Sequence, residues 1–230
     1  MEQTACLLIH GVAGGQYQVE RLKNHLTSCG IYAKSVTIKG HETTKKELID
    51  SRYYEWLADV NQKYLALAAK YPKIIVIGFS MGGLLGLNLA KRHAPAALVL
   101  VNCPIYYVNF PGVCRNISSD LKERHLKNIR RYFSPDYIPL RTLLEFQKLL
   151  DHTKLRLPEV ACPTLILQCK DDDVVVPNSA EYLYEHIGSR NKHLCYYEKG
   201  GHHIFLEEED SSIYGDITAY IATLKSPMSS

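Results

Sequence analysis

Gly78-Phe79-Ser80-Met81-Gly82 is the stretch of sequence that decides how the chain is interpreted. It follows the apolar run 74–77, which predicts a buried strand, and it leads into an apolar segment over 83–92 that predicts a helix. A G-x-S-x-G motif in this context is typical of a nucleophile elbow, a sharp turn that exposes the serine hydroxyl. The alternative is a glycine-rich turn in which Ser80 only caps the helix. The flanking strand and helix favour the nucleophile.

A second glycine-rich stretch, His10-Gly11-Val12-Ala13-Gly14-Gly15, follows the first predicted strand, Thr4 to Ile9. It contains neither G-x-G-x-x-G nor G-x-x-x-x-G-K, so it lacks the signatures of a phosphate-binding loop. Beside a serine nucleophile, such a loop supplies a backbone N–H to an oxyanion. We therefore predict an oxyanion hole formed by the N–H groups of Val12 and Met81, and we expect His10 to brace the loop through hydrogen bonds.

The candidate partners of Ser80 come later in the chain. Asp171-Asp172-Asp173 follows the predicted strand 163–168, and His202-His203 follows the last predicted strand, 193–198. A serine hydroxyl needs a histidine to take its proton, and that histidine needs an acid to fix its tautomer. The aspartates or the histidines could instead bind a metal ion, but that interpretation leaves the Ser80 motif unexplained. A Ser-Asp-His arrangement accounts for all three features.

Composition limits the classes of protein that remain. The chain has 230 residues, of which 46% are hydrophobic and 22% charged, and its formal net charge is +3. These values are typical of a globular domain, and so small a charge argues against a nucleic-acid partner. No apolar run reaches the roughly 20 residues of a membrane span. Seven cysteines without a C-x-x-C pair are typical of a reducing compartment, so we expect a cytoplasmic protein.

The order of the predicted elements indicates an α/β fold. Apolar strands alternate with helices, which predicts a mostly parallel sheet with helices on both faces. The alternation stops after the strand that ends near Cys103. From 104 to 157 we predict a small helical cap with helices at about 118–132 and 139–154, inserted into a single domain that spans residues 1–230.

Several stretches resemble the bacterial carboxylesterases and monoacylglycerol lipases of the α/β-hydrolase superfamily, and the resemblance extends over essentially the whole chain. The matching stretches are Leu7-Leu8-Ile9-His10-Gly11, Lys39-Gly40-His41, Gly78-Phe79-Ser80-Met81-Gly82-Gly83, Pro163-Thr164-Leu165-Ile166-Leu167-Gln168 and Tyr197-Glu198-Lys199-Gly200-Gly201-His202. The order serine, acid, histidine is also that of the α/β-hydrolase fold. The resemblance implies that fold and ester hydrolysis without a cofactor or a metal, with Ser80 as nucleophile and His202 as base.

The acid is less clearly indicated than the serine and the histidine. In the family it usually lies nine residues after the proline of the preceding strand, which from Pro163 points to Asp172. Asp173 better fits the common D-x-x-V-P spacing to Pro177. We favour Asp172 on register and expect Asp171 to be a solvated carboxylate at the strand end.

The sequence thus predicts a serine carboxylesterase for small to medium carboxylic esters. One alternative keeps the same three residues but cleaves a monoacylglycerol, a thioester or an amide. The alternative from another class is a non-catalytic ligand-binding protein of the α/β-hydrolase type.

Overall fold

The computed structural model describes residues 4–106, 138–207 and 212–224. Six strands lie in the described residues: β1 (Thr4–Ile9), β2 (Tyr32–Ser35), β3 (Lys73–Phe79), β4 (Ala97–Val101), β5 (Thr164–Cys169) and β6 (Lys192–Tyr197). They form one sheet in the order β2-β1-β3-β4-β5-β6, in which every neighbouring pair is parallel. The predicted parallel sheet is confirmed. Parallel strands end at the same edge, so the segments that follow β1, β3, β4, β5 and β6 meet there.

The helices occupy the connections between the strands. They are α1 (Glu20–Ser28), α2 (Lys45–Asp50), α3 (Tyr53–Ala68), α4 (Met81–His93), α5 (Leu140–Lys154), α6 (Asn178–His186), α7 (Ile204–Glu207) and α8 (Ser212–Thr223), with short 3₁₀ helices at Gln16–Val19 and Leu157–Glu159.

The two faces of the sheet are buried by different sets of helices. Along β1, Leu7 and Ile9 point into a core shared with α3, α4, α5 and α6. Cys6 and Leu8 point into a second core, shared with α1, α7 and α8. This alternation is the two-residue side-chain period of a strand. Because both faces are covered, the strands read as continuous apolar runs in the sequence.

Most elements lie where the sequence predicts them, and the strands that the apolar runs 4–9 and 97–101 predict match β1 and β4 residue for residue. From Lys39 through Thr43, Thr44 and Lys45 the polar sequence predicts a loop, and this prediction is wrong at its end, because α2 begins at Lys45. Thr44 accepts a hydrogen bond from the backbone N–H of Glu47, and the Glu47 side chain accepts from the N–H of Thr44. This reciprocal capping box is written in the sequence as T-x-x-E.

The predicted cap falls mostly outside the described residues. The helix expected at 118–132 lies there entirely, whereas the one expected at 139–154 matches α5. The cap over 104–157 and the single domain over 1–230 therefore stay predictions.

Candidate active site

Ser80 lies at the sharp turn between β3 and α4. Its backbone has φ 52° and ψ −123°, a combination that L-residues rarely adopt. The neighbouring glycines allow the turn: a Cβ at Gly78 would lie 2.3 Å from the carbonyl oxygen of Gly82, and a Cβ at Gly82 would lie 2.1 Å from that of Ile9. The Ser80 N–H donates to the carbonyl of Val101 at 2.9 Å, which ties the turn to β4. This geometry is that of a nucleophile elbow.

His202 lies between Ser80 and Asp172. Its Nε2 is 3.1 Å from the hydroxyl oxygen of Ser80, and its Nδ1 is 2.9 Å from Oδ2 of Asp172. A carboxylate only accepts hydrogen bonds, so Nδ1 carries the proton and the Nε2 of the neutral ring accepts from the serine hydroxyl. All three side chains are buried. The structure therefore brings the predicted serine, histidine and favoured aspartate together in one hydrogen-bonded chain.

The Asp172 carboxylate is also held by its own loop. Its Oδ1 accepts from the backbone N–H groups of Val174 and Val175, both at 2.8 Å, which leaves Oδ2 for His202.

Asp171 is not only a solvated carboxylate, as we expected, but also binds the backbone of another segment. It is exposed, but its two oxygens accept from the N–H groups of Gly200 and Gly201 at 3.2 and 2.8 Å. These bonds hold the histidine turn, residues 199–203.

Asn102 is a residue of the site that the sequence analysis missed. It follows β4 directly, is fully buried, and has φ 47°. Its side-chain amide contacts the backbone at Cys169, Gly201 and His202. The signal was a single polar residue at the end of an apolar strand, at the same sheet edge as Ser80.

The glycine-rich loop, residues 10–15, lies against the elbow. A Cβ at Gly11 would lie 3.3 Å from the Cβ of Ser80, so the loop passes directly beside the serine. Val12 is half-buried in this loop, and Met81 is the buried first residue of α4. Backbone N–H groups at a helix start are suited to a developing negative charge. The oxyanion role of Val12 and Met81 stays a prediction.

Two buried histidines lie behind this loop. His10 and His41 are almost fully buried, with ring centroids 5.3 Å apart. Each ring donates from Nδ1 to a backbone carbonyl, that of Gly11 at 2.9 Å and that of Lys39 at 3.1 Å. Burial lowers the pKa of both to about 4, and for His41 the neighbouring His10 adds to the shift. His10 therefore braces the loop as a neutral ring, as predicted.

A second buried nucleophile near the elbow is Cys103. Its sulfur would lie 2.5 Å from a Cβ placed at Gly83. Burial strongly raises the pKa of the Cys103 thiol, so the group stays protonated and poorly nucleophilic. Ser80 is therefore the side chain of this region that has a base in place.

A cavity of about 290 Å³ opens beside the glycine-rich loop. Its lining mixes polar and apolar residues and comprises Ala13, Gly14, Tyr17, Gly40, His41, Glu42, Thr43, Thr44, Lys45, Leu48, Ile138 and Pro139. A larger cavity, about 370 Å³, lies between α3, α4 and α5 toward the far end of α4, with Asn88 and His152 in its wall. Ala13 and Gly14 in the wall of the smaller cavity belong to the loop whose Gly11 lies beside Ser80.

Two further searches concern only the parts of the chain that the structure describes. Within 4–106, 138–207 and 212–224, no three His, Cys, Asp or Glu side chains gather as metal ligands would. In the same ranges, no helix has the length and apolar character needed to cross a membrane.

Comparison with protein-family models gives two matches. Residues 5–105 match the model described as alpha/beta hydrolase fold, and residues 114–209 match the model described as serine aminopeptidase, S33. Among curated proteins, the chain is 28% identical over 199 residues to a thermostable monoacylglycerol lipase of Bacillus sp. (strain H-257), which covers 82% of this chain and 78% of that one. It is 24% identical over 233 residues to a carboxylesterase of Bacillus subtilis (strain 168), covering 96% and 93%.

Solved structures give the same result for the fold. One metagenome-derived lipolytic enzyme superposes with a TM-score of 0.80 at 23% identity, covering 96% of this chain and 94% of that one. A soluble variant of monoglyceride lipase from Saccharomyces cerevisiae superposes with a TM-score of 0.76 at 16% identity, covering 98% and 88%. The chain has the α/β-hydrolase fold. The curated relatives are of the esterase and monoacylglycerol lipase type, which supports a serine ester hydrolase.

Proposed function

We propose that the protein is a serine carboxylesterase that hydrolyses small to medium carboxylic esters through an acyl-enzyme. The observation that carries the proposal is the buried chain of hydrogen bonds from Ser80 through His202 to Asp172, at 3.1 and 2.9 Å. A serine hydroxyl becomes a useful nucleophile when a neutral imidazole is positioned to take its proton. The ester-hydrolysing names of the bacterial relatives support the same reaction class.

In the proposed reaction, Ser80 attacks the ester carbonyl carbon while its proton passes to Nε2 of His202. The N–H groups of Val12 and Met81 stabilise the resulting oxyanion. The intermediate collapses to the acyl-enzyme, and the leaving alkoxide takes the proton from His202 as it departs. Water then attacks the acyl group, His202 takes the proton of the water, and returning it to Ser80 releases the carboxylic acid. Asp172 fixes the tautomer of the ring and stabilises its protonated form.

The cavity beside the glycine-rich loop supports a medium-sized substrate with a polar part. Its volume of about 290 Å³ is near the lower end of the range for small-molecule sites. Ala13 and Glu42 in its lining have φ 51° and 58°, although neither is glycine. Strained backbone of this kind is concentrated at functional sites. We infer that part of the substrate lies in this cavity while its carbonyl lies at Ser80.

The second candidate is a monoacylglycerol lipase with the same three residues. Three polar residues in the lining of the cavity favour it, because Glu42, Thr43 and Thr44 offer acceptors and donors for an alcohol that keeps free hydroxyl groups. The thermostable monoacylglycerol lipase relative supports the same reading. Thioesters and amides would use the same groups, with a different leaving group.

Two measurements test the proposal. The first is labelling with a fluorophosphonate probe, with Ser80→Ala as control. We expect an adduct on Ser80 and a loss of p-nitrophenyl ester hydrolysis of about 10⁴-fold or more in the variant. A wild-type protein that is folded yet neither labelled nor hydrolytic would establish the non-catalytic alternative.

The second measurement compares kcat/KM across substrates. p-Nitrophenyl esters of increasing acyl length are assayed beside 1-monoacylglycerols of the same acyl groups, and a thioester and an amide serve as further substrates. The carboxylesterase proposal expects the short and medium simple esters to be the better substrates. A clear preference for the monoacylglycerols at equal acyl length would instead identify the second candidate.

A further inference from the structure

Asn102 lies where the segments that carry Ser80, Asp172 and His202 come together. It directly follows β4, the strand between the one that ends at Ser80 and the one that leads to Asp172. The carbonyl of the preceding residue, Val101, accepts the N–H of Ser80 at 2.9 Å. The Asn102 N–H donates to Leu167 on β5, also at 2.9 Å. The backbone at this point already joins the serine side of the site to the acid side.

The side chain of Asn102 also binds the turn that carries His202. Its Nδ2 donates to the carbonyl oxygens of Gly201 and His202 at 3.0 and 2.9 Å. Its Oδ1 accepts from the N–H of Cys169 at 2.9 Å, three residues before Asp172. A carboxamide has two donors and one acceptor oxygen, so both donors and the acceptor are in use. One fully buried side chain therefore connects the end of β5 with the histidine turn.

The backbone conformation at position 102 would suit glycine best, so the hydrogen bonds of the side chain are the reason why asparagine is found there. With φ 47°, Asn102 is in the left-handed region, where glycine is the residue with the least steric cost. Asparagine is among the few other residues that tolerate the region. Glycine would satisfy the backbone and leave the carbonyls of Gly201 and His202 without donors. Ala94, also left-handed at φ 45°, ends α4 with no such contacts and serves as a comparison.

We propose that Asn102 is a positioning residue that fixes His202 at hydrogen-bond distance from Ser80. The inference rests on the proposed function, since it takes His202 to be the base and asks what positions it. The histidine turn is held from two sides: Asp171 accepts its N–H groups at the surface, and Asn102 donates to its carbonyls in the interior. Without the buried contact, the His202 ring samples positions that no longer meet the serine hydroxyl, and misplacement by about 1 Å costs on the order of 10²-fold in rate.

The test uses two variants of Asn102 and one matched control. Asn102→Gly removes the amide while suiting the left-handed backbone. Asn102→Asp keeps an acceptor for the Cys169 N–H and tolerates the same backbone, but it loses both donated bonds. Ala94→Gly is the control, because it relieves the same kind of backbone strain away from the site. We measure kcat and KM on a p-nitrophenyl ester, and the rate and final stoichiometry of fluorophosphonate labelling, at a temperature where circular dichroism shows each protein folded.

We expect both Asn102 variants to lose about 10²-fold in kcat, with KM changed by less than about threefold. The labelling rate should fall in parallel, while its final stoichiometry stays near one per chain. That stoichiometry separates mispositioning from partial unfolding, which would reduce the number of reactive serines. Ala94→Gly should behave as wild type.

Three results would overturn the inference: kcat within threefold of wild type in Asn102→Gly, retained kcat in Asn102→Asp, or a labelling stoichiometry that falls with kcat. Failure of the proposed function is distinguishable from these results. In that case the wild-type protein itself is neither labelled nor hydrolytic.

Discussion

Ser80 and His202 face each other across 3.1 Å, but their surroundings are of different kinds. The serine side is built by close backbone contact. Gly78 and Gly82 lie where no Cβ fits, and the glycine-rich loop packs against the turn through Gly11. Few side-chain hydrogen bonds are involved.

The histidine side is built by side chains that bind backbone groups far away in the sequence. Asp171 accepts two N–H groups of the histidine turn, and Asn102 donates to two of its carbonyls. Asp172 is the exception, because it is fixed by the nearby N–H groups of Val174 and Val175. The histidine turn also contains two glycines with positive φ, Gly200 at 133° and Gly201 at 58°, but a Cβ at Gly200 would meet side-chain atoms, whereas at the elbow it would meet backbone.

The difference separates two sources of precision in one site. Steric exclusion at the serine side tolerates almost no added atoms, so its substitutions should act on folding. Hydrogen bonds at the histidine side set the position of the His202 ring and contribute less to the stability of the fold. Their loss should therefore lower mainly kcat. Each prediction below probes one side of this comparison, from the largest expected effect to the smallest.

The largest effect is expected at the base. His202→Ala removes the proposed proton acceptor of Ser80 and should lower kcat on a p-nitrophenyl ester by on the order of 10⁴-fold or more. The matched control is His203→Ala, whose ring packs beside Phe79 and His202 and should cost less than about tenfold. Comparable losses in the two folded variants would show that the turn as a whole, and not the His202 ring, carries the effect.

The acid comes next. Asp172→Asn keeps the shape of the side chain but favours the wrong tautomer of His202, a change that costs about 10⁴-fold in kcat in a serine protease. Because Asp173 is adjacent and can supply a charge, we expect a smaller loss here, about 10³-fold, and a small loss for Asp173→Asn. Both variants are assayed at one pH after circular dichroism. A greater loss in Asp173→Asn would move the acid by one residue.

The steric side is tested by adding one methyl group. Gly82→Ala places a Cβ 2.1 Å from the carbonyl oxygen of Ile9, so backbone must move. We expect it to lower the free energy of unfolding by at least about 3 kcal/mol, measured by urea denaturation. Gly215→Ala is the control, since its Cβ meets no atom within 4 Å and α8 should gain roughly 0.5–1 kcal/mol. Equal stability of the Gly82→Ala variant and wild type would mean that close contact does not define the elbow.

The same comparison explains what the sequence could predict. The elbow is local: Gly78, Ser80 and Gly82 lie within five residues, so the steric requirement is visible as a motif. The parallel sheet and its two covered faces follow from the apolar runs, which the structure confirms at β1 and β4. In each case the physical cause and the sequence signal lie in the same short stretch.

The histidine side is less predictable because its contacts are non-local. Asn102 and His202 are 100 residues apart, and nothing near Asn102 indicates which backbone groups its amide will meet. Asp171 appeared to be solvated because the sequence places it at a strand end, while the N–H groups that it binds lie about 30 residues further on. Only the sheet order brings these segments together.

A pH measurement probes the buried serine side. The pKa of His10 and His41 falls to about 4 in the folded protein, against about 6.5 in the unfolded chain. The unfolded chain therefore binds more protons between these values. Their contribution to stability is complete above pH 6.5 and is lost as the pH falls toward 4.

We expect the free energy of unfolding in urea to drop by about 1–2 kcal/mol per ring between pH 7.5 and pH 5.0. A His41→Gln variant should show about half of this pH dependence. If the variant and the wild type lose the same free energy on acidification, the buried neutral rings are not its source.

The smallest effect is expected for Asp171, whose contacts hold the histidine turn at the surface, whereas those of Asn102 hold it in the interior. Asp171→Ala removes the acceptor of the Gly200 and Gly201 N–H groups, but Asp171 is exposed and water can replace it. Asn102 still holds the turn from inside. We therefore expect kcat to fall only about 3- to 10-fold, with KM and the free energy of unfolding nearly unchanged.

Glu198→Ala is the matched control. It removes an exposed carboxylate that lies 2.6 Å from Lys170, and this ion pair joins the same two segments. Exposed ion pairs contribute little, so its kcat should stay within about twofold of wild type. If Asp171→Ala were as active as Glu198→Ala, the exposed contacts would be dispensable and Asn102 alone would position the base. If Asp171→Ala instead lost as much activity as Asn102→Gly, the exposed and the buried contacts would be equivalent. Burial would then not be the reason for the larger role of Asn102.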